Sequence, residues 1–301
     1  MKNKVITVFG AGFIGKNLIY QLLEMGSIVR VVSRNPYLQG NLGPMGNVGN
    51  LDLCYGNIVE EKTIKDYIKN SDVIINLVGV LHERGGESYF NSHVTGIKNI
   101  SELAARYGID ELIHISSIGA DIESDSKYQS TKGLGEKILF ENFPNAKIIR
   151  PSIVFGPEDG FFSVQSKIIK ISPVIPLFGG GNNKFQPVYV KDLVDGIIKV
   201  LNSKKNRGNI FEFGGPDIMT MKDVYNLILK TLKLKRILLP APIVAAKLIA
   251  TFAQMMPDPI ITRDLVKILK FDNVVTEKNN TLESLGITPQ SSSVILPTYL
   301  K

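Results

Sequence analysis

The sequence is poor in cysteine and has no apolar run long enough to cross a bilayer. Cys54 is the only cysteine among 301 residues, which excludes an internal disulfide and any metal site built from several cysteines. A reducing compartment such as the cytoplasm is the natural setting for such a chain. The apolar stretch near the amino terminus is broken by Gly10 and Gly12, so we expect a first strand there and no secretory signal peptide.

The charge of the chain lacks the pattern of a nucleic-acid-binding protein. Its 35 basic and 28 acidic side chains leave a net charge of +7, which suits nucleic acid, an anionic membrane surface or an acidic protein partner. However, the lysines are spread out, residues 230–236 form the one dense basic stretch, and no basic patch is interleaved with aromatics. Nucleic acid is therefore not an expected partner. The 44% hydrophobic and 21% charged content fits an α/β protein with a large core.

The most informative segment, residues 5–15, is an apolar β-type run that enters a glycine-spaced turn. Gly10 can make the tight turn after the strand, and Gly12 lets the backbone approach a pyrophosphate. Gly15 lets the next helix pack closely on the sheet. This spacing predicts the start of a dinucleotide-binding site.

The sequence around this turn supports a dinucleotide site better than the glycine spacing alone. The glycines open an amphipathic stretch, residues 16–25, and a second β-like run, residues 28–33, follows, which completes a βαβ unit. N–H groups at the helix start, around Phe13 and Ile14, and the positive end of the helix dipole would then face the phosphates. The alternative is a glycine turn that binds nothing.

No acidic residue follows the second strand, where Asp or Glu would hydrogen-bond the ribose 2′-hydroxyl of NAD. Ser33 and Arg34 stand there instead. A guanidinium beside a small hydroxyl suits a 2′-phosphate, which arginine can bind with two hydrogen bonds. We therefore predict NADPH in preference to NADH, with a solvated surface arginine as the alternative.

Strand-like and helix-like segments alternate through the first half of the chain, which predicts a parallel, doubly wound Rossmann sheet. The segments after the βαβ unit are strands at 73–78, 111–116 and 146–149 and helices at 88–107 and 128–142. After Pro151, glycine and proline punctuate shorter helices. We predict a dinucleotide-binding domain at 1–150 and a smaller α/β lobe at 151–301, some of whose segments return to the sheet.

Tyr128 and Lys132 are the candidate chemical groups. Positions i and i+4 share a helix face, so the ammonium of Lys132 would lie near the phenol of Tyr128, lower its pKa and hold the nicotinamide ribose. A serine at the end of the strand 111–116, either Ser116 or Ser117, would polarise a substrate carbonyl. Alternatively, Tyr128 and Lys132 are ordinary residues at the start of an amphipathic helix.

Residues 242–256 are almost wholly apolar, interrupted by Lys247 and Gln254. A transmembrane helix needs about 20 apolar residues, so this segment is too short to span a bilayer. Three alternatives remain for it, namely a helix packed in the core, a helix on a membrane surface and a docking surface for a partner.

Taken in order, the glycine-rich turn, the serine at a strand end and Tyr-x-x-x-Lys resemble the extended and atypical short-chain dehydrogenase/reductases. Later segments narrow the resemblance to the NAD(P)H-binding accessory subunits of respiratory complex I and their bacterial relatives. These segments are residues 150–159, 185–190, 262–264, 272–275 and 296–300. The resemblance covers nearly the whole chain, whereas sugar-nucleotide epimerases share only the amino-terminal half.

This resemblance implies a Rossmann-type protein that binds NADPH tightly at the matrix or cytoplasmic arm of complex I, on the inner face of the energy-transducing membrane. It assigns catalytic positions to Ser117, Tyr128 and Lys132. It assigns cofactor contacts to a larger set of residues, which would hold the phosphates, the two riboses and the adenine: Gly10, Gly12, Phe13, Ile14, Gly15, Ser33, Arg34, Asn57, Ile58, Val78, Gly79, Tyr128, Lys132 and Pro151.

Four features depart from the pattern of the related enzymes. The opening glycine turn is one residue shorter than the GxxGxxG that is usual in extended members, though it still satisfies the compact GxGxxG geometry. Asn57 stands near the adenine where many relatives carry an aspartate, and His93 stands where epimerases often have asparagine. That histidine either assists a proton relay or is a satisfied packing residue. Ser117 and Tyr128 are 11 residues apart (128 − 117), which leaves less room for a sugar nucleotide than the epimerases have.

Two functional hypotheses follow. In the first, the chain is an accessory or assembly subunit of NADH:ubiquinone oxidoreductase that keeps NADPH bound and rarely oxidises it. In the second, it is an active NAD(P)-dependent reductase, or a sugar-nucleotide epimerase or dehydratase, that uses Ser117, Tyr128 and Lys132. The carboxy-terminal segments and the short serine-to-tyrosine spacing favour the first, and the intact triad favours the second.

Overall fold

The computed structural model describes residues 2–36, 42, 49–203, 208–254, 259, 261–276 and 279–301. The strands are β1 (Val5–Phe9), β2 (Ile28–Ser33), β3 (Leu51–Tyr55), β4 (Val73–Asn76), β5 (Glu111–Ile115), β6 (Lys147–Pro151), β7 (Val154–Phe155), β8 (Val174–Phe178), β9 (Lys184–Phe185), β10 (Val188–Tyr189), β11 (Ile210–Phe213), β12 (Met219–Thr220) and β13 (Ile237–Ala241). The α-helices are α1 (Phe13–Glu24), α2 (Glu61–Lys69), α3 (Gly96–Arg106), α4 (Lys127–Asn142), α5 (Phe162–Ile171), α6 (Val190–Asn202), α7 (Met221–Leu232), α8 (Ile243–Ala253), α9 (Arg263–Ile268) and α10 (Ser292–Tyr299).

The main sheet has seven strands in the order β11-β6-β5-β4-β1-β2-β3. The pairs β1–β2, β2–β3, β1–β4, β4–β5 and β5–β6 are parallel. The order reverses direction between β1 and β4, and ligands of open α/β sheets bind at the carboxyl ends of the strands beside such a reversal. The predicted Rossmann sheet is therefore confirmed, and the predicted glycine turn after β1 lies at this switch point.

The central strands are buried along their whole length, which explains their apolar sequences. All residues of β4 and of β5 are buried, as expected for parallel strands covered on both faces. The charged exceptions are paired inside. Lys147 Nζ lies 2.6 Å from Glu111 Oε2 and donates to the carbonyls of Val200 and Ser203, so these buried charges are compensated.

The helix predicted for residues 88–107 contains a feature that the sequence did not indicate. Asn91–Thr95 forms a π-helical turn, after which α3 continues as a regular helix. The backbone here lies against α4, because a Cβ on Gly135 would stand 2.0 Å from the carbonyl oxygen of His93. Such turns are frequent at functional sites, and this one carries His93.

Two compact units are present: residues 1–124, 128–150 and 194–211 make one, and residues 125–127, 151–193 and 212–301 make the other. The second unit contains three two-stranded sheets, β7–β10, β9–β12 and β8–β13. Within it, the carboxylate of Asp159 accepts hydrogen bonds from the Tyr299 hydroxyl at 2.6 Å and from the N–H groups of Phe161 and Ser163. These bonds join the carboxy-terminal helix to the start of α5. The division at 150/151 stays a prediction.

The apolar segment 242–256 forms α8, which lies in the second unit. Its fully buried side chains are small, namely Ala246 and Ala250. Val244, Leu248 and Phe252 are 59%, 60% and 71% exposed, so the alternative of a helix packed in the core is wrong for these three side chains. Ile243, in contrast, packs against the buried cluster that contains Ala246 and Ala250. Residues 255 and 256 lie outside the described part of the chain. None of the helices in that part is long and apolar enough to span a membrane.

Candidate functional site

The turn between β1 and α1 has a geometry that requires glycine at two positions. Gly10 has a φ of +93°, which side chains disfavour, and its N–H donates to the Val32 carbonyl at 3.1 Å. A Cβ on Gly15 would stand 2.6 Å from the carbonyl oxygen of Gly10. Among the described residues, none has an atom within 4 Å of the corresponding position at Gly12. The turn is thus tight on the protein side and open above Gly12, where the sequence predicts a pyrophosphate.

The start of α1 has the features of an anion-binding site. Gly12 is the residue that precedes the helix, and it provides no side chain to cap the first N–H groups. The first turn, which includes Phe13 and Ile14, carries no acidic residue, so nothing there repels a phosphate. Unsatisfied N–H groups and the helix dipole favour negative charge at this end.

A loop after β4 forms the neighbouring wall. The N–H of Leu77 donates to the Phe9 carbonyl at 2.9 Å, and the Asn76 side chain accepts from the Val78 N–H at 3.1 Å. Val78 Cγ2 would lie 3.3 Å from a Cβ on Gly10, and Lys132 Nζ would lie 3.3 Å from a Cβ on Gly79. Val78 and Gly79 therefore stand between the phosphate turn and Lys132.

Ser33 and Arg34 lie at the end of β2, as predicted for the adenosine-ribose end of the site. The Ser33 hydroxyl oxygen is buried and has no hydrogen-bond partner within the described residues. The side chain of Arg34 is 55% exposed, and its Nη1 lies 2.5 Å from Glu87 Oε1. A buried hydroxyl without a partner beside a guanidinium is a suitable pair of groups for a phosphate.

Asn57 and Ile58 are the residues predicted near the adenine, and their side chains contact other residues of the protein. Asn57 donates to Glu60 Oε1 at 2.9 Å and accepts from the Val59 N–H at 3.2 Å. The Ile58 side chain is buried in a core cluster and would overlap a Cβ on Gly96. Any adenine contact at these two residues therefore stays a prediction.

Tyr128 and Lys132 lie one turn apart at the start of α4. Lys132 Nζ is 5.9 Å from the centroid of the Tyr128 ring and donates to the Ile115 carbonyl at 3.3 Å. Burial lowers the pKa of Lys132 to about 8, and Glu136 opposes this change. The amine is therefore charged at neutral pH and still able to exchange a proton near it.

Ser117 follows β5 and completes the predicted triad. Burial raises the pKa of the Tyr128 phenol, and the neighbouring Ser117 side chain opposes that rise. The Ser117 hydroxyl oxygen is buried and has no partner at hydrogen-bonding geometry among the described residues. The hydroxyl oxygen of Ser116, one residue earlier, is buried and has no partner in the described part of the chain. The structure thus brings Ser117, Tyr128 and Lys132 together within one unit. Pro151, the last predicted cofactor contact, ends β6 and is buried.

A histidine and an additional tyrosine complete the surroundings of Tyr128. The ring of His93 stacks on Tyr89 with centroids 5.6 Å apart, and each of these rings meets the Tyr128 ring edge-on, at 5.4 and 5.8 Å. Sequence reasoning missed Tyr89, although its i, i+4 spacing to His93 was available. Together these rings form an aromatic enclosure for the phenol.

His93 has both ring nitrogens engaged. Its Nε2 accepts from the Val80 N–H at 3.3 Å, so Nδ1 carries the proton and donates to Thr131 Oγ1 at 3.0 Å. Thr131 in turn donates to the Tyr128 carbonyl at 3.2 Å. Burial lowers the pKa of His93 to about 2. This pattern is that of the satisfied histidine, which braces the loop after β4 against the first turn of α4.

A second buried pair, also missed from the sequence, lies at the ends of β4 and β5. Asn76 and His114 are register partners, and the Asn76 amide nitrogen lies 3.1 Å from His114 Nδ1. Burial lowers the pKa of His114 to about 3, and the charge of Lys132 adds to the effect. Both buried histidines are therefore neutral at physiological pH.

Sequence comparisons with known proteins identify the family of this chain. Residues 6–214 match the model of the NAD dependent epimerase/dehydratase family. The mitochondrial NADH dehydrogenase (ubiquinone) 1 alpha subcomplex subunit 9 of Arabidopsis thaliana is 31% identical over 300 residues, which cover 95% of this chain and 74% of the relative. The corresponding Mus musculus protein is 30% identical over 290 residues, covering 95% and 76%.

Solved structures show the same fold at low sequence identity. The dTDP-glucose 4,6-dehydratase of Streptomyces venezuelae with NAD and TYD bound has a TM-score of 0.74 and 19% identity, and the two chains are covered to 98% and 95%. The chain therefore belongs to the NAD dependent epimerase/dehydratase family, whose cofactor class is a nicotinamide dinucleotide, and within it to the family of the alpha subcomplex subunit 9 proteins.

Proposed function

We propose that this chain is an accessory or assembly subunit of NADH:ubiquinone oxidoreductase, respiratory complex I, that carries bound NADPH. The observation that carries the proposal is the extent of the relationship. The family model ends at residue 214, whereas the alpha subcomplex subunit 9 of Arabidopsis thaliana aligns with 95% of the chain. The sequence relationship therefore extends into the second unit at 31% identity, whereas the solved dehydratase that shares the fold over 98% of the chain is only 19% identical.

The residues of the first unit fit NADPH. The open space above Gly12 would accommodate the pyrophosphate, and the buried Ser33 hydroxyl with Arg34 would hold the 2′-phosphate. Tyr128 and Lys132 would hold the nicotinamide ribose. When bound, NADPH supplies a hydride. The surrounding residues would orient the nicotinamide, and the ammonium of Lys132 would donate hydrogen bonds to the hydroxyls of its ribose.

A bound cofactor stabilises a fold without any turnover. A ligand that binds only the native state lowers its free energy by mass action, whereas catalysis requires additional binding of the transition state. A tightly bound NADPH would therefore have a structural or regulatory part in the assembly, because its predicted contacts follow β1, β2 and β4 at their carboxyl ends.

We propose further that the subunit lies on the inner, cytoplasmic face of the energy-transducing membrane and that α8 contacts anionic lipid there. Val244, Leu248 and Phe252 recur every four residues and form one exposed apolar face of α8. Exposed lysines are close in sequence, Lys247 within α8 and Lys235 before β13. An apolar face with nearby cations suits an anionic membrane surface.

Vesicle sedimentation tests the lipid contact. Vesicles that contain phosphatidylglycerol should retain the protein more strongly than pure phosphatidylcholine vesicles, and Leu248→Asp should reduce that retention severalfold. Val294→Asp is the matched control, because Val294 is 65% exposed on α10 of the same unit. Equal retention of the two variants would contradict a role for the α8 face.

An active NAD(P)-dependent reductase, or a sugar-nucleotide epimerase or dehydratase, is the second candidate. The assembled Ser117, Tyr128 and Lys132, with the pKa of Lys132 lowered to about 8, favour it. In such an enzyme Tyr128 would move a proton at the reacting oxygen while Ser117 positions that oxygen.

Complementation separates the two functions. A strain that lacks the chain should lose assembled NADH:ubiquinone oxidoreductase, and Tyr128→Phe should restore the assembly if the subunit role is right. Failure of a stable, NADPH-loaded Tyr128→Phe protein to restore it would favour the enzyme. Ser117→Ala provides the same comparison at a second position of the triad.

A further inference from the structure

Arg34 already has an anionic partner in this structure. Its Nη1 lies 2.5 Å from Oε1 of Glu87, and the two side chains are 55% and 37% exposed. Glu87 is not one of the residues that the glycine turn, the strand-end serine or the Tyr-x-x-x-Lys pattern identifies. It belongs to the loop after β4, which also contributes Val78 and Gly79 to the wall of the site.

The loop holds Glu87 in place through its own backbone. Arg84 and Glu87 exchange two backbone hydrogen bonds, of 3.0 and 2.7 Å. The two residues between them, Gly85 and Gly86, have φ values of +52° and +89°, as required of a tight two-residue turn. The carboxylate is therefore presented at the end of a small hairpin.

Further bonds close the loop and join it to the other end of the site. The Tyr89 hydroxyl donates to the Leu81 carbonyl at 2.9 Å, and the Tyr89 N–H donates to Glu83 Oε1 at 3.1 Å. The Tyr89 ring in turn packs on His93 and Tyr128. The position of Glu87 is thus fixed by the segment that encloses the candidate phenol.

We propose that Glu87 sets the preference of this protein between dinucleotides with and without a 2′-phosphate. A 2′-phosphate on Arg34 must displace Glu87 from the guanidinium or share it, whereas a ribose 2′-hydroxyl leaves the ion pair intact. This inference deepens the proposed NADPH binding and rests on the role of Arg34 in it.

Electrostatics gives the direction of the effect. A carboxylate beside a phosphate that carries up to two negative charges repels it, and it also neutralises the cation that attracts the phosphate. The ion pair is exposed, so water and salt weaken both contributions. Removal of the carboxylate charge should therefore strengthen binding of the 2′-phosphate by about three- to tenfold.

Two nucleotide fragments isolate this effect from the rest of the cofactor. Titration calorimetry with 2′,5′-ADP and with 5′-ADP measures the contribution of the 2′-phosphate alone. Glu87→Gln should bind 2′,5′-ADP about three- to tenfold more tightly than the unchanged protein does, and its affinity for 5′-ADP should stay within about twofold. Glu102→Gln is the control, because it removes a different exposed carboxylate of the same unit, paired with Lys98 at 3.8 Å.

The outcomes separate this inference from the proposed function. Equal changes for both fragments in Glu87→Gln, no change, or weaker binding of 2′,5′-ADP would overturn the role of Glu87. Arg34→Ala tests whether Arg34 binds the 2′-phosphate at all. If it weakens 2′,5′-ADP and not 5′-ADP, the 2′-phosphate site stands whatever Glu87 does, and if it affects neither, the NADPH assignment itself fails.

Discussion

Lys132 and Gly79 approach each other so closely that a Cβ on Gly79 would stand 3.3 Å from the Lys132 ammonium nitrogen. The contact joins the loop that walls the predicted cofactor site to the residue predicted to hold the nicotinamide ribose. It also makes the glycine testable, because a methyl group there presses on the flexible end of a side chain.

Gly79→Ala should weaken NADPH binding about tenfold while lowering the free energy of unfolding by about 1 kcal/mol or less, since the lysine can shift its end group. Gly160→Ala is the control, because a Cβ on Gly160 would have no atom of the described residues within 4 Å. Cofactor titration and chemical denaturation measure the two quantities. Unchanged NADPH affinity in Gly79→Ala would separate this loop from the site.

Gly15 and Gly12 should respond to alanine in opposite ways. Gly15→Ala should lower the free energy of unfolding by about 1–3 kcal/mol, because its Cβ would stand 2.6 Å from the Gly10 carbonyl oxygen. Gly12→Ala should change stability by less than about 1 kcal/mol and weaken NADPH, because its Cβ enters the open space predicted for the pyrophosphate. Equal losses of stability would contradict the distinction.

Lys132 should make stability rise at alkaline pH. Its pKa falls from 10.5 to about 8 in the native state, so between these values the unfolded chain holds more protons and unfolding becomes less favourable as pH rises. Below pH 8 the full penalty for burying the ammonium is present. From pH 8 to 10.5 the native protein should gain up to about 3 kcal/mol relative to Lys132→Met. A difference in the free energy of unfolding between the two proteins that stays constant from pH 8 to 10.5 would contradict this prediction.

His93 should make the protein less stable in acid. Its pKa falls from 6.5 to about 2 on folding. Below pH 6.5 the unfolded chain therefore takes up a proton that the native state does not, and the free energy of unfolding decreases as the pH is lowered. Between pH 6.5 and 5 the native protein should lose about 2 kcal/mol more than His93→Gln does. His82→Gln, which changes a partly exposed histidine, should behave like the unchanged protein.

The strands and the phosphate turn were predictable because their determinants are local. The buried strand Val73–Asn76 is apolar except for Asn76, because both of its faces are covered, and Gly10, Gly12 and Gly15 lie within one βα turn. Spacing alone therefore specifies both the secondary structure and the close approach. The proximity of Tyr128 and Lys132 was predictable for the same reason, since residues four positions apart lie on the same face of a helix.

The rest of the site depends on contacts that no local pattern encodes. His93 bonds to Thr131, which is 38 residues away, and the π-helical turn Asn91–Thr95 forms where the backbone meets Gly135 of another helix. The position of Glu87 beside Arg34 likewise arises from the folding of a loop. The apolar segment 242–256 was ambiguous for a related reason, because apolar periodicity does not reveal which face has a partner.

The most direct measurement of the central claim is to tag this chain in its native host, solubilise the membranes mildly, and follow it by native gel and mass spectrometry. We expect the chain to migrate with NADH:ubiquinone oxidoreductase, and we expect NADPH to be recovered from the same band in about the same molar amount as the chain. Migration as a free protein, with the oxidoreductase fully assembled in a strain that lacks the chain, would contradict the central claim.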